Sequence, residues 1–278
     1  MTLHVTDEGP VRTLTFDNPG RKNAIDVPTL QALGEALHRT AYDDGVRVVV
    51  LTGAGGDFSS GADLSRNDHP LSAAHPMTRM RLWADTVTTL HDLPQPVIAR
   101  VEGVVVGAAA NLALGCDFVV AATTARFSEI FARRGLSLDA GGSWLLPRAV
   151  GLLQAKRLAL LGEIVGAEEM LALGLATWVK EPNELDAFVT DLAVRLAAGP
   201  PVALALTKQM LHHGSTSSFE AALAQESAAQ TVNFGTDAPA ARRAFAERTE
   251  PDFTGAWRLD TTPDATGAKP ATDQEDFR

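Results

Sequence analysis

A single cysteine, Cys116, rules out any disulfide within the chain and fits a reducing, cytoplasmic setting. Basic residues are few as well: 24 Lys and Arg stand against 34 Asp and Glu, a formal net charge of −10. Such a surface is unsuited to nucleic acid or an anionic membrane, so neither is an expected partner. An anionic ligand would need a local cluster of Lys and Arg against that field. Long apolar runs are also missing, since residues 101–116 and 152–161 are shorter or more interrupted than the about 20 residues that span a bilayer. The first ten residues, MTLHVTDEGP, show no basic stretch followed by an apolar one, so no secretory signal is expected. No His, Cys and Asp cluster has metal-ligand spacing. What is present is ordinary for a globular protein: 278 residues, 45% hydrophobic and 21% charged, enough for one core with an appendage.

Hydrophobic periodicity divides the chain into a mixed α/β part and an all-helical end. Residues 3–6 and 11–16 flank the turn-forming DEGP at 7–10 and read as a β-hairpin. A loop at 18–23 precedes a helix over 27–42, in which Leu30, Leu33, Leu37 and Ala41 recur at helical spacing. A strand at 46–51, a Gly-rich loop and a polar, mobile segment at 65–75 follow. Then comes a helix over 77–93, ended by Pro94 and Pro96. Strands are expected at 118–121, 125–128 and 176–179, and helices at 141–161, 168–173 and 185–198. Beyond GPP at 199–201 the pattern is helical only, over 202–213, 219–232 and 238–248. Three regions result: a core at 1–198, a helical region at 199–254, and a loose tail from 255 to 278.

Two segments organise the core. In residues 100–117, RVEGVVVGAAANLALGCD, Val101 and Val104 to Val106 form a β-branched run that reads as a buried strand and gives way to a helix near Gly107. The first helical turn leaves backbone N–H groups without acceptors, and the helix dipole adds positive potential there. A developing negative charge could be held at that junction. Taken alone, the run of small residues reads best as tight helix packing. The second segment, residues 46–64, VRVVVLTGAGGDFSSGADL, runs from another apolar strand into a Gly-rich loop, so two strand exits offer exposed N–H groups.

The pair resembles the enoyl-CoA hydratase/isomerase family, also called the crotonase family. NPGRKNAI at 18–25, GGSWLLPR at 141–148 and AFAERTEPDFTG at 244–255 extend the resemblance over nearly the whole chain. It implies an α/β fold, a spiral of strand–strand–helix units with a C-terminal helical trimerisation region. The assembly it implies is a homotrimer or a dimer of trimers. It also implies an acyl-CoA thioester as substrate, with coenzyme A part of that substrate and no separate cofactor. In that family the FSxGADL loop and the strand–helix junction each supply one oxyanion-hole N–H; by position these are Ala62 and Ala108.

The acid/base is where the sequence departs from the family's hydratases, which use two glutamates. The first position holds Asn111, and counting back from Gly141 and Gly142 the second falls on Ile130, with Glu129 one residue away and expected to face elsewhere. Only a register shift that brings Glu129 into the site would restore a carboxylate. What the chain has instead is Asp139, in GLSLDAGGSW at 135–144. This is similar to the isomerase branch that includes the phenylacetate-pathway ring isomerases, whose motif carries Pro where Leu138 stands here. In that branch the aspartate shuttles a proton between C2 and C4. Flanking Leu136, Leu138 and Trp144 would desolvate Asp139 and raise its pKa. On residue type alone Asp139 reads as a cap of the helix that follows; the surrounding motif favours catalysis.

The resemblance places adenine and ribose at the main chain of Arg21, Lys22 and Ala24, with Gly61, Asp63 and Leu64 beside them. Arg21, Lys22, Arg248 and Lys208 are candidate phosphate contacts. The acyl pocket is expected to draw on residues 65–80 and on Leu82, Trp83, Asn111, Ile130, Phe131 and Trp144. Asp117 reads as structural, and His212 and His213 as surface or packing residues. GAGGDF at 53–58 has Phe58 where a dinucleotide fingerprint needs its third Gly, and Ser143 lacks the last Gly of a nucleophile elbow. The reading is therefore an enoyl-CoA isomerase that moves a double bond between the 3- and 2-positions. Enoyl-CoA hydratase is the first alternative. An inactive acyl-CoA binder is the second, and a nicotinamide-dependent oxidoreductase is the weakest.

Overall fold

The computed structural model describes residues 2–65 and 75–257. The expected hairpin is present: β1 (Thr2–Glu8) pairs antiparallel with β2 (Val11–Asp17). The main sheet continues in parallel through β3 (Val48–Gly53) and β4 (Val97–Val101). After β4 the chain forms the short β5 (Val104–Val106), then returns to the main sheet as β6 (Phe118–Ala122). β7 (Arg126–Ser128) pairs in parallel with β5 and antiparallel with β8 (Val165–Gly166), and β9 (Trp178–Lys180) closes the main sheet beside β6. From β4 to β7 successive strands thus alternate between two sheets, with helices between the pairs, and a strand–strand–helix spiral results.

Alternation along each strand decides the layering. Val49 and Leu51 of β3, Val97 and Ala99 of β4, and Val119 and Ala121 of β6 join one apolar cluster. Val48, Val50, Ile98, Val120 and Ala122 point to the opposite face and join another. Both faces of the parallel sheet are covered, which is why these strands read as continuous apolar runs. The first face packs on α1 (Val27–Ala41), α2 (Pro76–His91), α3 (Ala108–Leu114) and α4 (Gly142–Leu161) through Leu30, Leu33, Leu90, Leu112 and Leu146. Asp26 caps α1 by accepting from the Thr29 N–H at 3.0 Å.

After β8 comes α5 (Ala167–Leu173). The second sheet face is covered by α6 (Pro182–Ala197), through Leu185, Val189 and Leu192. Next come α7 (Pro201–Gly214), α8 (Phe219–Phe234) and α9 (Ala238–Glu247), which bury little: α8 encloses only Ala229 and α9 only Ala244. Leu211, Phe219, Phe234 and Phe245 stand exposed on them. No single helix among the described residues is long and apolar enough to cross a membrane.

Three expectations need correction. The strand at 46–51 begins at Val48, because Val46 N–H is used in a turn onto the Asp43 carbonyl. The helix over 141–161 is interrupted at Gly151, whose φ of 73° and ψ of 159° are not helical. The two-residue β8 was not expected at all, since so short a strand leaves no periodicity. The mobile segment expected at 65–75 falls mainly on residues 66–74, outside the described residues; so does the tail beyond residue 257.

Candidate active site

Four chain segments meet at the C-terminal end of the strands. Asn23 fastens the first, residues 18–25, to the Gly-rich loop. Its Nδ2 donates to the carbonyls of Ala54 at 2.8 Å and Asp57 at 2.7 Å, and its Oδ1 accepts from Asn18 N–H at 2.8 Å. Asn23 is fully buried at a φ of 54°, a region that Asn enters more readily than most residues. Sequence reading passed it over; its place in a polar turn just before a helix was the available signal.

Ser59 then carries the Gly-rich loop alongside β5. Its N–H donates to Val104 O at 2.9 Å, and Val106 N–H donates back to Ser59 O at 3.1 Å. Continuing in parallel, both chains reach their donors two residues or so later. A Cβ placed on Gly61 would lie 3.4 Å from the Ala108 nitrogen and only 2.7 Å from Val106 O, and Gly61 has a φ of 90°, so glycine is required there. Ile25 pairs with both neighbours of Ala62, through Ile25 N–H to Gly61 O and Asp63 N–H to Ile25 O, which turns the Ala62 N–H to the other side. Ala108 is the first residue of α3, after Gly107 at a φ of 61° and ψ of −130°. Neither the Ala62 nor the Ala108 N–H has an acceptor among the described residues. Two free donors on adjoining backbones are what a thioester oxyanion needs.

The fourth segment, residues 129–142, supplies the carboxyls. Asp139 is half-buried, and burial pushes its pKa up to about 6. It does not cap α4: the cap residue is Gly141, no side-chain cap bond is made, and Asp139 Oδ1 is buried without a partner. The left-handed Ala140 and Gly141, at φ 48° and 82°, turn the chain so that the Asp139 carbonyl accepts from Asn111 Nδ2 at 3.0 Å. Asn111 is one helical turn beyond Ala108, so the loop that carries the base candidate is tied to the helix that starts at an oxyanion donor.

Glu129 does not face elsewhere, as expected, but inward. It is fully buried, and its Oε2 lies 3.4 Å from the same Asn111 Nδ2. Burial pushes its pKa up to about 8; the Asn111 hydrogen bond opposes this and the nearby Asp139 charge adds to it. Position 129 follows β7, where Phe127 and Ser128 are both buried, so strand alternation gave no reliable facing.

Ile130 and Phe131 reach the same place, 3.7 and 3.9 Å from where a Gly107 Cβ would stand. Trp83 is buried in the core on α2. Trp144 packs edge-on to His91, with centroids 5.4 Å apart, and under the Arg148 guanidinium at 3.8 Å. Leu136 is 50% exposed and so cannot shield Asp139 as expected; the loop turns it to solvent.

At the expected coenzyme A end, Arg21 donates to both Asp63 oxygens, at 2.9 and 3.2 Å, and to Ser65 Oγ at 2.6 Å. Lys22 Nζ stands 3.8 Å from Asp57 Oδ2 and is largely exposed, Ala24 is buried, and Leu64 is 69% exposed. Arg248 caps α9 at a φ of 57° and forms no ion pair with this group among the described residues. Lys208 is not a phosphate contact in this fold: it is nearly buried and paired with Asp117 Oδ2 at 2.8 Å. Asp117 also accepts from Val97 N–H at 2.7 Å and so fixes the start of β4. His212 stacks on His91 at 3.9 Å, and burial lowers its pKa.

Residues 6–256 match the model of the enoyl-CoA hydratase/isomerase family. The chain belongs to that family. It is 38% identical over 252 residues to the 1,2-epoxyphenylacetyl-CoA isomerase of Escherichia coli K12, covering 89% of this chain and 96% of that one. It is also 38% identical to a probable enoyl-CoA hydratase of Rhodobacter capsulatus, covering 87% and 93%. A solved putative enoyl-CoA hydratase from Streptomyces coelicolor superposes with a TM-score of 0.86 at 34% identity, covering 91% and 94%. The α/β architecture is accordingly the crotonase fold, and the protein is a crotonase-family acyl-CoA enzyme. Relatives carry both hydratase and isomerase names, so similarity does not choose between the two reactions.

Proposed function

We propose that this crotonase-family protein is an enoyl-CoA isomerase that converts 3-enoyl-CoA to 2-enoyl-CoA, and that Asp139 is its proton shuttle. The observation that carries the reading is Asp139 itself. It is a half-buried carboxyl, freed from helix capping, tied by its main chain to Asn111 beside the Ala108 junction. The ionised carboxylate takes the C2 proton, and the electron pair moves onto the thioester oxygen, where the N–H groups of Ala62 and Ala108 hold the dienolate. The same carboxyl returns the proton at C4 while the electrons re-form the C2=C3 bond and the thioester carbonyl. Mass is unchanged, and no metal or redox group enters.

Arg21, Lys22, Ala24, Gly61, Asp63 and Leu64 are assigned to coenzyme A, with Arg248 as a further phosphate contact. Ile130, Phe131, Asn111, Trp83 and Trp144 are assigned to the acyl pocket. The helical region 199–254 is assigned to self-association as a homotrimer or dimer of trimers. The exposed Phe219, Phe234 and Phe245 support that assignment.

Enoyl-CoA hydratase is the second reading, favoured by Glu129 as a second buried carboxyl. Its complete enclosure argues against it, because a hydratase must bring water to both carboxyls. Purified protein given 3-enoyl-CoA and 2-enoyl-CoA in parallel separates the two by the ultraviolet absorbance of the conjugated thioester. A rise with the 3-enoyl substrate is expected; faster loss of the 2-enoyl signal by hydration would overturn the proposal.

A further inference from the structure

We infer that Glu129 is a positioning residue of this site: a neutral carboxylic acid that acts through Asn111 to hold the Asp139 loop against the first turns of α3. The inference rests on the reading of Asp139 as the base. Glu129 has no exposed surface, so solvent does not reach it. Its recorded polar contact is Asn111 Nδ2, the atom that also donates to the Asp139 carbonyl.

Counting protons decides the state of the acid. Three buried oxygens here have no partner: Glu129 Oε1, Asn111 Oδ1 and Asp139 Oδ1. With both carboxyls ionised all three are acceptors and none can satisfy another. A proton on Glu129 turns one of these orphan acceptors into a donor. Asp139 is the more open of the two and ionises first, and the pKa values pushed up to about 6 and about 8 follow that order.

Among the described residues no cation pairs with Glu129, and Asn111 Nδ2 is the one side-chain donor to it. Asp139 faces it from the loop before α4, and Asn111 faces it from α3. Of the arginines in its own turn (Ile130–Arg134), Arg133 donates away to the Leu161 carbonyl and Arg134 is exposed. Ser128, the residue before it, donates to the Gly162 carbonyl. No basic side chain pairs with either carboxyl among the described residues.

The test uses the full chain with Glu129→Gln and Glu129→Ala, both checked for native circular dichroism. With 3-enoyl-CoA, Glu129→Ala is expected to lose about 10- to 100-fold in kcat with KM little changed, as for a displaced catalytic group. Glu129→Gln, whose amide still donates, is expected to recover most of that loss. The parent should lose activity above about pH 8 as Glu129 ionises, and Glu129→Gln should not. Independently of turnover, infrared difference spectra at pH 7 should show a protonated carboxyl C=O band in the parent that is absent from Glu129→Gln. A Gln variant as inactive as Asp139→Asn would overturn the inference, since Glu129 would then carry protons itself. Absence of that band would overturn it too. If the parent turns over no enoyl-CoA, the isomerase reading falls, while the band still decides whether Glu129 is neutral.

Discussion

Asn111 Nδ2 donates to the main-chain carbonyl of Asp139 at 3.0 Å, joining the helix that starts at one oxyanion donor to the loop that carries the base. Gly142 packs so closely on this amide that an added Cβ would lie 2.4 Å from Nδ2, so a larger side chain at 142 has no room. Asn111→Ala removes one of the two donors to that carbonyl, the Gly142 N–H at 2.9 Å being the other, and opens space beneath the loop. It should lower stability by about 1–3 kcal/mol, read as a lower midpoint in denaturant unfolding, together with a fall in kcat. An unchanged midpoint would show that the loop holds itself.

Asp139 must be ionised to accept a proton, and burial has raised its pKa to about 6. The isomerisation rate should therefore climb with pH through about 6 and level off until Glu129 ionises at about 8. The same shift has the opposite sign for stability. A carboxyl whose folded-state pKa is raised keeps its proton longer in the fold, so its contribution declines as pH rises from 3.8 to about 6. Activity and stability should diverge over that window, and Asp139→Asn should remove this contribution to both trends.

Gly61→Ala is a test of the oxyanion hole that leaves both donors in place. Its Cβ would meet Val106 O at 2.7 Å, and the φ of 90° is strained for alanine. Parting the Ala62 and Ala108 N–H groups should cost about 10²–10³ in kcat, the usual effect of losing one such donor. Acyl-CoA binding, measured by calorimetry, should persist. A parental kcat would mean that these N–H groups do not act as a pair.

Arg21 lies half in solvent and pairs with Asp63, so as an ion pair it contributes about 0–1 kcal/mol to stability. If it holds a coenzyme A phosphate, Arg21→Ala should raise KM severalfold, more at low salt than at high, with kcat nearly unchanged. An unaltered KM at low salt would remove Arg21 from the ligand site.

The parts legible in the sequence were those written in local pattern. Val48 to Leu51 announce a two-sided buried strand, and Leu30, Leu33 and Leu37 a helix face. The meeting of the Gly61 loop with Ala108 was legible only through the motif resemblance, because their pairing runs through Ser59 and β5, distant in sequence from each other. Glu129 and Lys208 were misread for one reason. Each is an ionisable residue whose burial goes with a partner, Asn111 or Asp117, that only tertiary packing brings near.

The most direct test of the account compares the parent with Asp139→Asn for conversion of 3-enoyl-CoA to 2-enoyl-CoA, with acyl-CoA affinity measured on the same preparations. The account predicts conversion by the parent, and a variant that binds the thioester equally well but turns over about 10²–10⁴-fold more slowly. A variant that isomerises at the parental rate would contradict it.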